Sequence, residues 1–392
     1  MTEEIFRRDG YVFEFEAVVV SVEGDLVELD STAFYPGGGG QACDTGTIRQ
    51  TPVTETLYEG GRIVHRAPGS GLAPGDRVWC SVDWDRRYGL MQGHTGEHLL
   101  FCALKRQDPE LEVVKISITP DDSHVIVDHD PGWDAVHDAV AFANSAIRDN
   151  LSIAKSVMSR NDPDLEKVRI KLDRIAEDED VSVVSIGDID VSACSGVHVM
   201  ETGELEMIVV DRKVSAGKNG TAIHFKVGRK AADAALGLAS VCLRAVDEAG
   251  TKPEDMVRWV ANAKRDLDAC RSAAKALVKE SLKALKPRIV NGTPVFSGVF
   301  PGAERSVLTD FAESVRSKGG VAVLLSTDGQ ASVVLASGTD RTDCGRILAD
   351  VLGEFGGRGG GKKDFAQGGA ADAGSAEALM ERLLSETERS LS

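Results

Sequence analysis

The sequence predicts an α+β protein made of several domains. The chain has 392 residues, 42% of them hydrophobic, which is enough to bury about two to four separate cores. Its residue pattern changes along the chain. Apolar residues alternate with polar ones up to about residue 83, recur at helical spacing over 83–107, and are followed by a segment rich in Ala, Leu, Lys and Arg over 228–286.

Residues 1–86 are predicted to form a small, barrel-like β domain. Its strand signals are short alternating runs separated by turn residues, namely YVFEFEAVVVSV, DLVELD, GRIVHRA and RVWCSVDW. Such runs are typical of antiparallel strands with one buried face. A glycine-rich loop lies between two of them, and its glycines favour tight turns or close backbone approach; they are Gly37, Gly38, Gly39 and Gly40.

Residues 87–228 are predicted to form an α+β domain that begins with a helix. Over 83–107 a stripe of residues recurs every three or four positions: Leu90, His94, Glu97, His98, Phe101 and Leu104. After the strand-like runs VVKISIT and HVIVDH, a helix is predicted over 133–150. Further strands are predicted at VSVVSI, LEMIVVDRKV and TAIHFKV.

Residues 229–287 are predicted to be a helical linker, and residues 288–392 a compact α/β domain. The linker contains one proline before Pro287, which ends the helical pattern. Beyond it we expect the strand TPVFSGVF, a helix over about 303–317, the strands GVAVLLST and ASVVLAS, a helix over about 341–353, a glycine-rich loop over 356–369 and a final helix over 374–390.

Two pairs of potential metal ligands share one spacing. His94 and His98 lie one turn apart on the predicted helix, and Cys194 and His198 follow a predicted strand, with Gly196 allowing the backbone to bend between them. Three imidazoles and one thiolate suit Zn²⁺ better than Mg²⁺ or Ca²⁺, which prefer oxygen. The sequence therefore predicts one zinc ion per chain. A purely structural zinc stays open, because four protein ligands leave no free position.

A second interpretation of the first pair is a metallopeptidase. HTGEH (94–98) satisfies the His-x-x-Glu-His order of inverzincins, with Glu97 as the general base. Such an enzyme needs a carboxylate as third ligand and an open metal position, whereas Cys194 and His198 would fill the site.

The net charge and the cysteine content restrict the class of protein and the compartment in which it works. The formal charge of −17 argues against a protein that coats nucleic acid indiscriminately. Seven scattered cysteines fit a reducing compartment, and no apolar run is long enough for a membrane span. A cytoplasmic protein without membrane association is expected.

Two local groups of basic residues are candidates for binding phosphate. The stretch GGRGGGKKDFAQGG (356–369) is similar to the P-loop motif. However, Lys363 occupies the position where Ser or Thr would bind Mg²⁺, and a helix rather than a strand is expected before the stretch. ATP binding is therefore not predicted. Backbone N–H groups there, with Arg358, Lys362 and Lys363, instead predict a contact with a phosphate backbone. A basic stripe recurs every four residues in the helical segment, and it is either a second phosphate contact or an ordinary solvated helix face; its residues are Arg271, Lys275, Lys279 and Lys283.

Three stretches, taken together, resemble one family. STAFYPGGGGQACDTG (31–46), the HTGEH and CSGVH pairs, and the glycine-rich stretch at 356–369 resemble the signature, zinc motifs and DHHA1-type C-terminal motif of alanyl-tRNA synthetase. Because the first signature begins at residue 31, we expect no aminoacylation core ahead of it. The chain therefore looks like the free-standing AlaX editing proteins in their long form.

This resemblance implies a deacylase that hydrolyses tRNA(Ala) wrongly charged with serine, or with glycine. It assigns His94, His98, Cys194 and His198 to zinc. It places Thr32 where a hydroxyl can pair with the seryl hydroxyl, a bond that alanine cannot make. It places the Gln41 amide near the attacking water or the ester carbonyl. A homodimer through the helical and C-terminal regions is expected. The alternative is a tRNA-binding or dimerisation protein with a structural zinc and an idle pocket.

Overall fold

The computed structural model describes residues 2–170, 180–328, 330–370 and 373–392, and it confirms a multidomain α+β protein. The chain divides into two compact units, Met1–Ala245 and Val246–Ser392. Each unit buries its own apolar clusters. The finer division into four segments stays a prediction.

The first unit begins with a seven-stranded antiparallel sheet. The elements up to residue 82 are Glu3–Glu4 (β1), Ile5–Arg8 (α1), Glu14–Glu23 (β2), Leu26–Leu29 (β3), Ser31–Thr32 (β4), Gly46–Ile48 (β5), Thr51–Val53 (β6), Glu55–Glu59 (β7), Arg62–Arg66 (β8) and Arg77–Val82 (β9). The sheet has the order β6-β5-β9-β2-β3-β8-β7. Along β9 buried and exposed residues alternate, as expected for a sheet with one buried face. Closure of this sheet into a barrel stays a prediction.

A long helix runs through the core of the first unit, as the spacing over 83–107 predicts. It is followed by a mixture of strands and one further helix. These elements are Trp84–Gln107 (α2), Val113–Ile118 (β10), Ser123–Val127 (β11), Gly132–Arg148 (α3), Ile153–Met158 (β12), Val181–Ile186 (β13), Asp190–Ala193 (β14), Ile208–Ser215 (β15) and Thr221–Val227 (β16). The strands form two sheets, β10-β11-β16-β15 and β12-β13-β14. Helix α2 starts at a side-chain cap, because the Asp83 carboxylate accepts the Arg86 N–H at 3.2 Å.

A buried ion pair fixes helix α2 to the N-terminal strands. The Arg87 guanidinium bonds the Asp44 carboxylate, with Nε at 2.9 Å, and both side chains are fully buried. It also donates to the carbonyl oxygens of Gly10 and Ala33. One side chain thus ties three separate parts of the N-terminal region to the first turn of the helix, two turns before His94.

The second unit contains a six-stranded sheet with helices on both faces. Two long helices precede it, Gly228–Ala249 (α4), which begins in the first unit, and Met256–Ala284 (α5). The sheet and its helices are Arg288–Val290 (β17), Thr293–Pro301 (β18), Arg305–Ser317 (α6), Val321–Asp328 (β19), Gln330–Ser337 (β20), Cys344–Glu354 (α7), Arg358–Gly361 (β21), Phe365–Ala370 (β22) and Ala376–Leu391 (α8). The strand order is β17-β18-β19-β20-β22-β21. Apolar residues of α6 pack on one face of the sheet and those of α7 and α8 on the other.

The predicted glycine-rich loop over 356–369 is wrong, because the structure has a β-hairpin there. Strand β21 pairs antiparallel with β22 at the edge of the sheet. A Cβ atom on Gly359 would lie 2.5 Å from the Leu352 side chain, and one on Gly361 would lie 2.3 Å from the Phe365 carbonyl oxygen. The glycines therefore permit close packing of a strand. Pairing with β22 also occupies backbone groups that the sequence left free for phosphate.

Candidate metal centre and active site

The structure brings the two predicted ligand pairs together. His94 and His98 project from helix α2, and Cys194 and His198 lie in the loop after β14. One ligand atom from each residue lies within 4.8 Å of the others. The Cys194 Sγ lies 3.4 Å from Nε2 of His94 and 3.2 Å from Nε2 of His198.

Each imidazole is oriented by a polar side chain that bonds its Nδ1 atom. His94 Nδ1 donates to Gln41 Oε1 at 2.7 Å, and His98 Nδ1 donates to Ser192 Oγ at 2.7 Å. His198 Nδ1 lies 3.2 Å from Thr95 Oγ1. Partners of this kind fix the tautomer of metal-binding histidines. The arrangement leaves the Nε2 atoms to face the centre of the cluster.

The thiol of Cys194 is set up as a thiolate. Burial alone would raise its pKa, but the surrounding imidazoles of His94, His198 and His98 hold the pKa well below its usual value. A thiolate with three imidazoles is the donor set that Zn²⁺ takes in closed tetrahedral sites. The residues present therefore fit the predicted zinc ion.

The backbone bends at Gly196, as the sequence predicted, and the residue is also required by a close contact. Its φ angle is not positive, so the bend alone does not demand glycine. A Cβ atom at this position would lie 2.3 Å from Cε1 and 2.4 Å from Nδ1 of His94. The loop after β14 can approach the helix only because residue 196 has no side chain.

Gln41 reaches the centre from a turn made of glycines. Gly37 to Gly40 all have positive φ angles, between 58° and 139°, which favour glycine. The turn is attached to β10, since Ala42 N–H donates to the Ile118 carbonyl at 2.9 Å. Gln41 itself is 3% exposed, and its Nε2 has no hydrogen-bond partner among the described residues. The amide thus holds His94 with its oxygen and keeps its nitrogen for another group.

Thr32 is buried among the N-terminal strands. Its hydroxyl accepts the Phe34 N–H at 3.1 Å and lies 2.9 Å from Nε2 of His65. His65 bonds the Val27 carbonyl through Nδ1, and burial lowers its pKa to about 4, so the neutral ring accepts the Thr32 hydrogen. No recorded contact between described residues joins Thr32 to the four ligands. Its role in reading the substrate stays a prediction.

A cavity of about 510 Å³ lies beside the cluster. His198 and Gly196 form part of its wall, together with Lys155, Arg7 and Arg8. The Lys155 ammonium donates to the Gly196 carbonyl at 3.3 Å. Sequence reasoning missed these three cations, because they lie in α1 and β12, far along the chain from the ligands.

Two further residues around the ligands were missed. Ser192 and Asp190 form a chain behind His98, since Ser192 Oγ donates to Asp190 Oδ2 at 3.1 Å. The only available signal was their position two and four residues before Cys194.

Glu97, named from the sequence as a candidate general base, is fully buried. Neither of its carboxylate oxygens has a hydrogen-bond partner among the described residues.

A second group of potential ligands is neutralised by its neighbours. The Asp122 carboxylate bonds Nδ1 of His124 at 2.8 Å and Nδ1 of His224 at 2.9 Å. Arg212 and Lys226 lie within 3.5 and 3.8 Å of the same carboxylate. Two cations at this distance oppose a divalent ion, so this group gives no reason to predict a second metal.

The predicted basic residues of the second unit are mostly exposed. Arg358, Lys362 and Lys363 are exposed on the hairpin of β21 and β22. On α5, Arg271, Lys279 and Lys283 are exposed, whereas Lys275 pairs with Glu304 at 3.2 Å. The charge of Lys275 is therefore partly cancelled. Contact between these basic residues and RNA stays a prediction.

Helices of the kind that cross membranes were sought throughout the described ranges. None of them combines the necessary length with sufficient apolar character.

Comparison with protein families gives three matches. Residues 8–86 match class II (A) tRNA synthetases, residues 181–221 match the threonyl and alanyl tRNA synthetase second additional domain, and residues 292–389 match the DHHA1 domain. The second match includes Cys194 and His198, and the third spans β18 to α8.

Individual proteins extend these matches over nearly the whole chain. The alanyl-tRNA editing protein AlaX-L of Pyrococcus horikoshii is 29% identical over 94% of both chains. The alanine–tRNA ligase of Methanoregula boonei is 28% identical over 95% of this chain, which spans 42% of the ligase. The C-Ala domain of Aquifex aeolicus alanyl-tRNA synthetase, a solved structure, is 23% identical over 27% of this chain with a TM-score of 0.24, too low to support a statement about the fold. The chain thus combines segments that match the synthetases' second additional domain and the DHHA1 domain, and it is similar over nearly its whole length to the alanyl-tRNA editing protein AlaX-L.

Proposed function

We propose that this protein is a cytoplasmic deacylase that hydrolyses the ester bond of tRNA(Ala) mischarged with serine or with glycine, using one zinc ion per chain. The observation that carries the proposal is the Gln41 amide: its oxygen bonds His94 of the His₃Cys cluster, and its nitrogen has no hydrogen-bond partner among the described residues. The similarity to AlaX-L supports the same substrate class.

The reaction requires little more than placement of the ester. An aminoacyl ester is already activated, so water attacks the carbonyl carbon and the ribose hydroxyl leaves, giving the free amino acid and tRNA. The Gln41 Nε2–H is placed to donate to the carbonyl oxygen as negative charge develops on it. Lys155 would supply positive charge in the cavity for the terminal phosphate, whereas the charges of Arg7 and Arg8 are partly cancelled by Glu4 and Glu3. When bound, zinc would be held by His94, His98, Cys194 and His198 and would fix the position of His94 and, through its hydrogen bond, of Gln41.

Binding of the tRNA body is assigned to the second unit. We propose that Arg358, Lys362 and Lys363 contact phosphates, together with the exposed basic residues on α5. We also propose that the glycine turn at 37–40 admits the acceptor end of the tRNA.

Replacing both Lys362 and Lys363 by alanine should weaken tRNA binding and reduce the salt slope of log Kd by about two, since each phosphate contact releases roughly one counterion. An unchanged slope would remove the hairpin from the RNA contact.

A homodimer through the helical and C-terminal regions is part of the proposal. Helix α5 exposes apolar side chains, among them Val257 and Leu277, which are 83% and 69% exposed. Sedimentation of the full chain tests this, and a monomer at micromolar concentration would contradict it.

Thr32→Val is expected to damage discrimination more than catalysis. Loss of one hydrogen bond to the seryl hydroxyl should reduce the preference for Ser-tRNA(Ala) over Ala-tRNA(Ala) by roughly 1–3 kcal/mol. The zinc content should stay normal. Thr56→Val is the matched control, because Thr56 is also buried, lies in strand β7 of the same N-terminal region, and its hydroxyl donates to the Asp44 carbonyl at 3.2 Å. Equal losses for both substrates would show that Thr32 does not read the side chain.

Release of labelled serine from Ser-tRNA(Ala) tests the function itself. Ala-tRNA(Ala) and a peptide pool serve as controls. Tight tRNA binding without release would favour the alternative, a tRNA-binding or dimerisation protein with a structural zinc. Peptide hydrolysis would instead favour the inverzincin interpretation.

A further inference from the structure

We propose that Glu97 supplies the negative charge that makes the buried zinc centre electrically neutral, and that it sets the affinity for zinc without being a ligand. The inference rests on the zinc site of the proposed function and is independent of the hydrolytic step.

Glu97 is a buried carboxylate that has no hydrogen bond among the described residues and only incomplete charge compensation, from His98 and Arg169. Its side chain is fully buried in helix α2, and neither oxygen has a hydrogen-bond partner within the described ranges. A buried charge left unpaired is costly, so such groups are normally found beside a counter-charge. The nearest ligand is its neighbour in sequence: Glu97 Oε2 lies 4.0 Å from Nε2 of His98, the nitrogen that faces the cluster.

The geometry places Glu97 next to the ligand set and outside it. The four ligand atoms lie mutually within 4.8 Å, and no oxygen of Glu97 joins that group. Three imidazoles and one thiolate already fill a tetrahedral site. The carboxylate therefore acts on the metal through its charge and not through a bond.

Formal charges at the centre balance only when Glu97 is counted. A divalent ion with one thiolate and three neutral imidazoles keeps one positive charge. The nearby Arg169 and Asp190 form an ion pair at 2.9 Å and cancel each other. Glu97 is the remaining buried charge beside the cluster, and its attraction to the ion is strong because the surroundings exclude water. Lys155 lies towards the cavity, where solvent screens it.

Opposite effects follow for the two states of the chain. With zinc bound, Glu97 offsets the residual positive charge and stabilises the complex. Without zinc, its charge faces His98 at 4.0 Å and Arg169, which already pairs with Asp190, so its burial is incompletely compensated and destabilises the fold. Removing the charge while keeping the shape should therefore weaken zinc binding and stabilise the metal-free protein.

The test compares full-length wild type, Glu97→Gln, Glu97→Asp and the exposed control Glu206→Gln. Zinc affinity is measured by competition with a chromophoric chelator, ligation by the absorption spectrum of the cobalt(II) form, and stability by thermal unfolding of the metal-free chains. We expect Glu97→Gln to bind zinc about 10- to 100-fold more weakly, with an unchanged cobalt spectrum and a raised metal-free unfolding midpoint. Glu97→Asp should keep more of the affinity than Glu97→Gln, and Glu206→Gln all of it.

Three results would overturn the proposal. They are an unchanged zinc affinity in Glu97→Gln, an altered cobalt spectrum, which would make Glu97 a ligand, and a lowered metal-free midpoint or failure to fold. None of these measurements uses tRNA. A wild type that shows this pattern but releases no serine would refute the deacylase and leave the role of Glu97 intact.

Discussion

Replacing Cys194 by alanine is expected to abolish tight zinc binding and, with it, serine release from Ser-tRNA(Ala). The substitution removes the only anionic ligand of the cluster, which lies 3.4 and 3.2 Å from Nε2 of His94 and His198. Loss of a group that merely orients a ligand costs about 10- to 100-fold in metal affinity, so loss of the ligand itself should exceed that range. Metal content per chain and the rate of hydrolysis are the two measurements.

Cys242→Ala and Cys270→Ala are the matched controls for this experiment. Both cysteines are exposed on the long helices and lie outside the cluster. They should keep one zinc per chain and full activity. A normal zinc content in Cys194→Ala would remove this residue from the site and leave three imidazoles with an open position.

Arg87→Met is expected to destabilise the protein by about 3–5 kcal/mol, the usual cost of breaking a buried ion pair from one side. Asp44 would keep its charge in the core, and one of its oxygens already has no partner among the described residues. The carbonyl groups of Gly10 and Ala33 would lose their donor as well. Urea unfolding of the metal-loaded chain measures the free energy change.

The companion variants separate charge from shape. Arg87→Met combined with Asp44→Asn should recover part of the loss, because the uncompensated charge is gone. Arg77→Met should be nearly neutral, since the Arg77 side chain is 78% exposed. An Arg87→Met protein as stable as Arg77→Met would show that the pair does not hold helix α2 to the N-terminal strands.

Sequence patterns predicted those parts of the fold in which side chains repeat regularly. Helix α2 was predicted to within a residue because its buried positions recur every three or four residues, and the strands of the second unit because their apolar runs are continuous. The glycine-rich hairpin of β21 and β22 escaped prediction, because glycine has no side chain and gives no period. Its strand character depends on close contact with Leu352 and β22, which a sequence does not display.

The same division applies to the candidate site. The four ligands could be predicted because their spacing is local and their chemistry specific, and Gln41 because it lies in a recognisable signature. Other features of the site could not be predicted. These are the histidine partners Ser192 and Thr95, the bond between Thr32 and His65, and the lack of a hydrogen bond to Glu97. Each depends on which side chain of a distant strand or turn faces the helix, and that is decided by packing.

The distance along the chain between the two ligand pairs has a consequence for the unfolded state. His98 and Cys194 are separated by roughly 100 residues, so a shared metal ion closes a long loop, much as a reversible disulfide would. Closing a loop of that span costs the unfolded chain conformational entropy on the order of 5 kcal/mol, so the unfolded chain binds the ion far more weakly than the folded chain does. The ion therefore stabilises the fold by binding the folded state in preference to the unfolded one. A chelator would therefore lower the stability of the first unit even if every strand and helix kept its place.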